Sequence, residues 1–326
     1  MKIAVIGYGS IGKRHVKNLA SIPNMQIIIC TKQKIRNPHK NKIKIVNSIH
    51  DCIKENPDAA IIANESNLHI PISIQLAKLG IDLFIEKPLS NSLKDTEELV
   101  KIVRKKKIIT QMGCQFRFHK GIKKIKQLIS SNKLGKVISV RSECGSFLPN
   151  WHPYEDYTKS YAAKNSMGGV VLTNIHEIDY LYWYFGNITE VFSVTGKFSE
   201  LEISADDLSV GILKFKNNVI AELHLDYFQK PDFRSCKIIG TKGTVFWDSD
   251  TNTVSLYDNK KDEWTKILKQ SKYDRNLMFK EELAHFLNCV KKRQTTINPM
   301  EEDGIKTLEI GLNIIKSSKT RKMIKI

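Results

Sequence analysis

The sequence predicts two domains of different class. Residues 1–118 read as an α/β domain on a doubly wound parallel sheet, and residues 119–326 as an α+β domain with a large, mostly antiparallel open sheet. Three observations carry this prediction. The chain opens with a strand, a glycine turn and a helix. Strand and helix then alternate as far as Cys114. After Gly135 the pattern changes to short consecutive strands. A chain of 326 residues has enough length for two cores.

The first element is the most informative. Ile3, Ala4, Val5 and Ile6 run directly into Gly7-Tyr8-Gly9-Ser10-Ile11-Gly12, and a helical pattern follows through Leu19. Gly7 can make the tight turn. Gly9 lacks a Cβ, so backbone can approach a pyrophosphate there. Gly12 lets the helix pack close to the strand, and the free N–H groups of the helix N-terminus face the phosphates. Gly7, Gly9, Ser10, Ile11 and Gly12 are therefore the candidate cradle of a Rossmann-type dinucleotide site.

Gln26–Cys30 reads as the second strand. The residues at its end usually choose the cofactor, because an acidic side chain there would hold the ribose hydroxyls of NAD. Here Thr31, Lys32, Gln33 and Lys34 stand at that place, with Arg36 close behind and no acid before Asp51. A hydroxyl and lysines suit a 2′-phosphate, so Thr31 and Lys32 predict NADP(H) over NAD(H).

Further strands follow at 43–46, 58–63, 81–85 and 108–114, with helical segments at 51–55, 68–78 and 93–106. Ligands of parallel sheets lie at the carboxyl ends of the strands. Ala63 and Asn64, with His69 beyond them, and Glu86, Lys87 and Gln115 are therefore cofactor candidates. Pro88 restricts the backbone of Lys87 and is a candidate for a cis bond.

The second domain starts with a basic amphipathic helix at 122–130. Strands are expected at 137–144, 189–196, 208–215, 219–226, 234–240, 244–248 and 253–257. An aromatic, loop-like stretch spans 149–169, a helix 170–185, and helices at 276–292 and 303–318 close the chain.

Composition narrows the function classes. Hydrophobic residues make up 41% of the chain, which fits a globular protein. No apolar run approaches a membrane span, and the first strand begins at Lys2, so a cytoplasmic protein is expected. The six cysteines are scattered without a CxxC pair, which predicts buried thiols and no structural zinc or other metal. The net charge of +18 comes from lysines spread along the whole chain with no nucleic-acid motif. It fits an anionic small-molecule substrate as well as any specific nucleic acid, and no nucleic-acid partner is expected.

Gly7-x-Gly9-x-x-Gly12, Glu86-Lys87-Pro88, and Gly168-Gly169 followed by His176-Glu177-Ile178-Asp179 occur in this order and spacing. Together they make the chain resemble the glucose–fructose oxidoreductase / inositol dehydrogenase / rhizopine-catabolism family (Gfo/Idh/MocA) over essentially its whole length. Asn165–Gly186 is most similar to members acting on nucleotide-activated or surface-polysaccharide sugars. The resemblance implies NAD(P)-dependent transfer of hydride between the nicotinamide and a hydroxyl or ketone of a sugar, cyclitol or nucleotide sugar. It implies Lys87 and His176 as the catalytic side chains. Many members carry an aspartate four residues before the histidine; here Leu172 stands there. Weak catalysis by a dinucleotide-binding protein of the same fold therefore stays open beside the enzyme reading.

The residues themselves fit that chemistry. Hydride transfer from a carbinol needs a base for the hydroxyl proton, and an imidazole titrates near neutral pH. Arg117, Trp151, Tyr157, Thr173 and Asp179 are candidate substrate contacts. Arg117 would grip an anionic group, and Asp179 would support or cap rather than catalyse. The aromatic residues Trp151, Tyr154, Tyr157 and Tyr161 either form a sugar-stacking wall or pack a loop. The exposed face of the second sheet needs covering, which predicts a homodimer or homotetramer.

Overall fold

A computed structural model describes residues 1–35, 42–153, 155–270 and 273–326. Arg36 and Tyr154 lie outside the described residues. The chain divides into two compact units, Met1–Cys114 with Phe279–Leu308, and Gln115–Met278 with Glu309–Ile326.

The first unit holds six parallel strands, β1 (Lys2–Ile6), β2 (Gln26–Cys30), β3 (Ile43–Val46), β4 (Ala59–Ile62), β5 (Asp82–Glu86) and β6 (Thr110–Gly113). Their order is 3-2-1-4-5-6, the doubly wound arrangement with its crossover between β1 and β4. Helices α1 (Ser10–Ala20), α2 (Ile49–Lys54), α3 (His69–Lys78) and α4 (Thr96–Lys106) make the connections. The strands are near-continuous apolar runs because helices cover both faces of a parallel sheet. Ile3, Val5, Ile27, Ile29, Ile61 and Phe84 form the centre of the core.

The second unit holds a nine-stranded sheet. Its strands are β7 (Val137–Gly145), β8 (Ile188–Gly196), β9 (Leu208–Phe215), β10 (Ile220–Asp226), β11 (Phe233–Gly240), β12 (Gly243–Asp248), β13 (Thr253–Asp258), β14 (Glu263–Lys269) and β15 (Ile324–Lys325). All neighbours pair antiparallel except β7 with β10. Helices α5 (Lys120–Ser130), α6 (Gly169–Thr173) and α7 (His176–Phe185) belong to this unit. Two long helices follow, α8 (Asn276–Lys292) and α9 (Ile305–Thr320).

Four features depart from the sequence reading, the short strand β15 among them. Strand β14 is absent from it, because this lysine-rich strand is largely exposed and shows no alternation of burial. The single helix expected at 170–185 is two helices. Asn174, at φ −95° and ψ 36°, turns the backbone out of helical geometry, so His176 opens α7 instead of lying inside a longer helix. Residues 279–308 join the first unit, although they follow the second in the chain. Phe286 of α8 meets Phe84 of β5 edge-on, with ring centroids 5.6 Å apart, and Leu283 and Leu287 enter the same core. Beyond α8 the chain runs along β6. Met112 donates to the Asn298 carbonyl at 2.9 Å, and Thr296 Oγ1 donates to the Thr110 carbonyl at 2.6 Å. These bonds cover the edge of the parallel sheet.

Candidate active site

On the first unit the glycine turn has the shape of a phosphate cradle. Gly7 adopts φ +96°, and a Cβ there would lie 2.7 Å from the Ala63 carbonyl oxygen and from the Asn64 nitrogen. A Cβ on Gly12 would lie 2.3 Å from the Gly7 carbonyl oxygen. A Cβ on Gly9 would meet nothing within 4 Å, so space is open at the position that approaches a pyrophosphate. Gly9 caps α1, and its carbonyl accepts from Lys13 N–H at 2.9 Å. Ser10 and Ile11 supply the first-turn N–H groups, and no acidic side chain occupies that turn. Among the described residues, the buried Asn64 Oδ1 has no hydrogen-bond partner. These features fit a bound dinucleotide.

Gly7 N–H donates to the Cys30 carbonyl at 3.0 Å, which sets Thr31 beside the turn. Thr31 Oγ1 accepts from Gln33 N–H at 3.1 Å, and Lys32 is exposed. The end of β2 is therefore a hydroxyl among lysines in the structure as in the sequence.

The remaining first-unit candidates are built into the scaffold. Ala63 is buried, and its N–H donates to the Ile6 carbonyl at 2.8 Å. His69 is also buried, with Nδ1 3.0 Å from the Pro88 carbonyl and Nε2 3.1 Å from the Asn64 carbonyl. Burial holds its pKa below the ordinary histidine range, so the neutral ring donates through one nitrogen only. His69 thus braces the loops after β4 and β5. Glu86 is likewise taken up internally: Oε1 lies 2.6 Å from His15 Nε2, and Oε2 accepts from Lys87 N–H at 3.3 Å. The Lys87–Pro88 bond is cis.

On the second unit the environment of His176 is dense. Gln115 Nε2 lies 3.2 Å from His176 Nε2, and the Phe116 ring lies 5.0 Å from the imidazole. An amide suits a proton-carrying imidazole. Its NH₂ donates to a bare nitrogen, and its carbonyl, after a half-turn, accepts from a protonated one. Gln115 therefore serves His176, a role the cofactor expectation did not contain.

Asp179 lies one turn along α7 from His176. Arg117 Nε donates to Asp179 Oδ2 at 2.9 Å, and Arg117 Nη2 to Oδ1 at 2.8 Å. Both side chains are buried, Arg117 at 0% exposure. Arg117 is thus committed to a buried fork and does not present its charge to an anionic substrate. Asp179 holds the arginine, the supporting role read from its helix position. Glu177 pairs with Arg234 Nε at 2.8 Å, and the Arg234 guanidinium lies over Phe116 at 4.2 Å. Leu172 fills the position of the family acid with apolar packing, against Gly168 and Gly311.

Thr173 is buried, as is Tyr227, whose ring takes Trp151 edge-on at 5.5 Å. Trp151 Nε1 donates to Ser146 Oγ at 3.0 Å. Trp151 is therefore held by a ring contact and by its polar tip. Tyr157 instead braces its loop, its hydroxyl accepting from Glu202 N–H at 3.3 Å, and Tyr161 is exposed. Lys159 pairs with Asp156 at 3.2 Å on the surface.

The sequence reading quoted Glu177 within its motif but gave it no role, and it missed His15 and Arg234. Only His15 left a signal, a histidine within the apolar stripe Gly12, His15, Val16, Leu19 of α1.

Comparison with known proteins decides the family. The model of the oxidoreductase family with an NAD-binding Rossmann fold matches residues 1–114, and that of the GFO/IDH/MocA C-terminal domain matches residues 122–246. The chain belongs to the Gfo/Idh/MocA family. Its first 114 residues match the NAD-binding Rossmann fold of that oxidoreductase family. A myo-inositol 2-dehydrogenase of Thermotoga maritima is 27% identical, covering 100% of this chain and 98% of its own. A scyllo-inositol 2-dehydrogenase (NAD(+)) of Bacillus subtilis is 24% identical over 96% of this chain and 92% of its own. A levoglucosan dehydrogenase solved with NADH shares the fold, with a TM-score of 0.88 at 16% identity, covering 100% of this chain and 99% of that one.

Proposed function

We propose that this Gfo/Idh/MocA protein interconverts a hydroxyl and a ketone on a sugar, cyclitol or nucleotide sugar, with His176 carrying the hydroxyl proton. The observation that supports this most is the 3.2 Å contact of Gln115 with His176 Nε2 at the start of α7. It fixes the imidazole: with the amide turned so that its carbonyl accepts from Nε2–H, Nδ1 carries no proton and can take the one from the hydroxyl. The nicotinamide supplies or accepts the hydride. Lys87, at the carboxyl end of β5, shares the proton work and orients the reacting hydroxyl. Trp151, packed edge-on against Tyr227, offers a ring face to a sugar. The inositol dehydrogenase relatives support a polyhydroxylated ring as substrate.

The proposal includes a preference for NADP(H). It rests on Thr31 and Lys32 at the end of β2 and on the lack of an acid there. The test is a titration with NADPH and with NADH, following nicotinamide fluorescence, on wild type and Thr31→Asp. Tighter NADPH binding that Thr31→Asp weakens about tenfold is expected, as like charge placed beside a phosphate costs on the order of 1.4 kcal/mol. Equal or tighter NADH binding by wild type overturns the preference and leaves the oxidoreductase standing.

Leu172 favours a second reading, a dinucleotide-binding protein with weak catalysis. Full cofactor binding with no turnover on inositols, free sugars or nucleotide sugars would select it.

A further inference from the structure

The pair His15–Glu86 lies outside the proton chemistry assigned to Lys87 and His176. His15 is fully buried on α1, five residues after the helix begins at Ser10, and Glu86 is buried at the carboxyl end of β5. His15 Nε2 stands 2.6 Å from Glu86 Oε1, and Lys87 N–H reaches Oε2 at 3.3 Å. The carboxylate has a close-fitting place. A Cβ on Gly113 would lie 2.8 Å from Oε2 and 3.0 Å from Oε1, so β6 leaves room for the carboxylate only as glycine.

The hydrogen-bond inventory sets the charge of the pair. Among the described residues His15 Nδ1 is buried with no hydrogen-bond partner, and the Phe84 ring stands edge-on 5.1 Å away. A cationic imidazole would carry an N–H at Nδ1 with no acceptor. A neutral one carries its single N–H on Nε2, donates it to the carboxylate and leaves only a lone pair at Nδ1. The pair then has a net charge of −1. Glu86 ends β5, which belongs to the half of a doubly wound sheet that takes the second mononucleotide of a dinucleotide.

We propose that the buried His15–Glu86 pair is a fixed counter-charge that makes the protein hold the oxidised, cationic nicotinamide in preference to the reduced, neutral one. Glu86 supplies the charge and His15 is a positioning residue that anchors it without neutralising it. The inference rests on the nicotinamide-binding reading, but not on the choice between NADP(H) and NAD(H) or on any catalytic assignment.

The test measures dissociation constants of both redox forms, NADP+ with NADPH and NAD+ with NADH, by calorimetry on one sample of each protein. The ratio of reduced to oxidised constants is the readout, so a partial loss of folded protein cancels. Glu86→Gln keeps the shape against Gly113 and removes the charge. It is expected to lower the ratio about tenfold, through weaker binding of the oxidised form, since a unit charge acting across several ångströms of protein is worth that order of free energy. His15→Gln keeps a neutral donor and is expected to keep the wild-type ratio. An unchanged ratio in Glu86→Gln, or an equal fall in His15→Gln, overturns the proposal with cofactor binding intact. Failure of wild type to bind any of the four dinucleotides overturns the cofactor reading, and the proposal with it.

Discussion

His176 acquires its character from its neighbours. The amide of Gln115 meets one ring nitrogen, Phe116 lies against the ring, and Leu172 stands where many relatives carry an acid. On the proposed reading the imidazole carries the proton itself. His176→Ala is expected to lower kcat by about 10²–10⁴-fold with the NADPH dissociation constant unchanged, the range typical of a lost acid–base group. Steady-state kinetics beside a binding titration check this. A second histidine gives a pH signature. Burial, and next the positive charge of Arg234, push His119 down to about 4, and its Nδ1 accepts from Gly121 N–H at 3.1 Å. In the unfolded chain it titrates near 6.5, so between the two values the unfolded state binds a proton that the native state refuses. His119 should therefore cost no stability above about pH 6.5, and the protein should lose about 3 kcal/mol as the pH falls towards 4. Urea melts from pH 7.5 to 4.5 on wild type and His119→Phe are expected to show a shallower acid slope in the variant.

At the scale of elements, legibility followed periodicity. The glycine turn, all six parallel strands and most of the antiparallel ones were readable because each keeps one apolar period within a few residues. The break at Asn174 was not readable, since the apolar pattern of 170–185 runs through it; a single residue's backbone angles divide the helix. Strand β14 carried no pattern at all. Among site residues, positions on the glycine turn and at strand ends were legible because topology alone puts them there. The partners Gln115–His176, Arg117–Asp179 and Glu177–Arg234 were not, because each joins residues at least 57 apart in sequence. The Arg117–Asp179 fork ties the segment leaving β6 to α7. Arg117→Ala strands a buried carboxylate and is expected to cost about 3–5 kcal/mol of unfolding free energy. The double variant Arg117→Met/Asp179→Leu, read by the same denaturant melt, should recover most of that loss.

Among the described residues of the second unit an apolar surface is in view. On the outward face of the nine-stranded sheet Phe192, Val194, Val210, Ile212 and Ile220 are exposed side by side on β8, β9 and β10. Lys237, Arg141 and Glu222 continue the Phe192–Ile212 row across β11, β7 and β10. Arg141 and Glu222 pair at 2.8 Å. A face with apolar residues at one end of a row and both charges at the other is self-complementary under a two-fold axis. We propose that a second copy covers it. Light scattering is expected to give at least a dimer for wild type and a monomer for Ile212→Arg; a monomeric wild type at micromolar concentration would sink this arrangement.

The place of α8 has a bearing on how the protein is made. Its core residues Leu283, Phe286 and Leu287 complete a unit whose strands end near residue 114. On a ribosome, those strands leave the tunnel roughly 10–40 s before α8 does, at the usual pace of synthesis. Through that interval Phe84 and its neighbours face solvent or a chaperone, with the edge of β6 unpaired. The nucleotide-binding half is the first to be translated and among the last to be finished. A fragment cut after residue 118 would therefore remain an incomplete nascent chain, whereas one that carries residues 279–308 in addition, spliced by a short linker, has every piece of its own core.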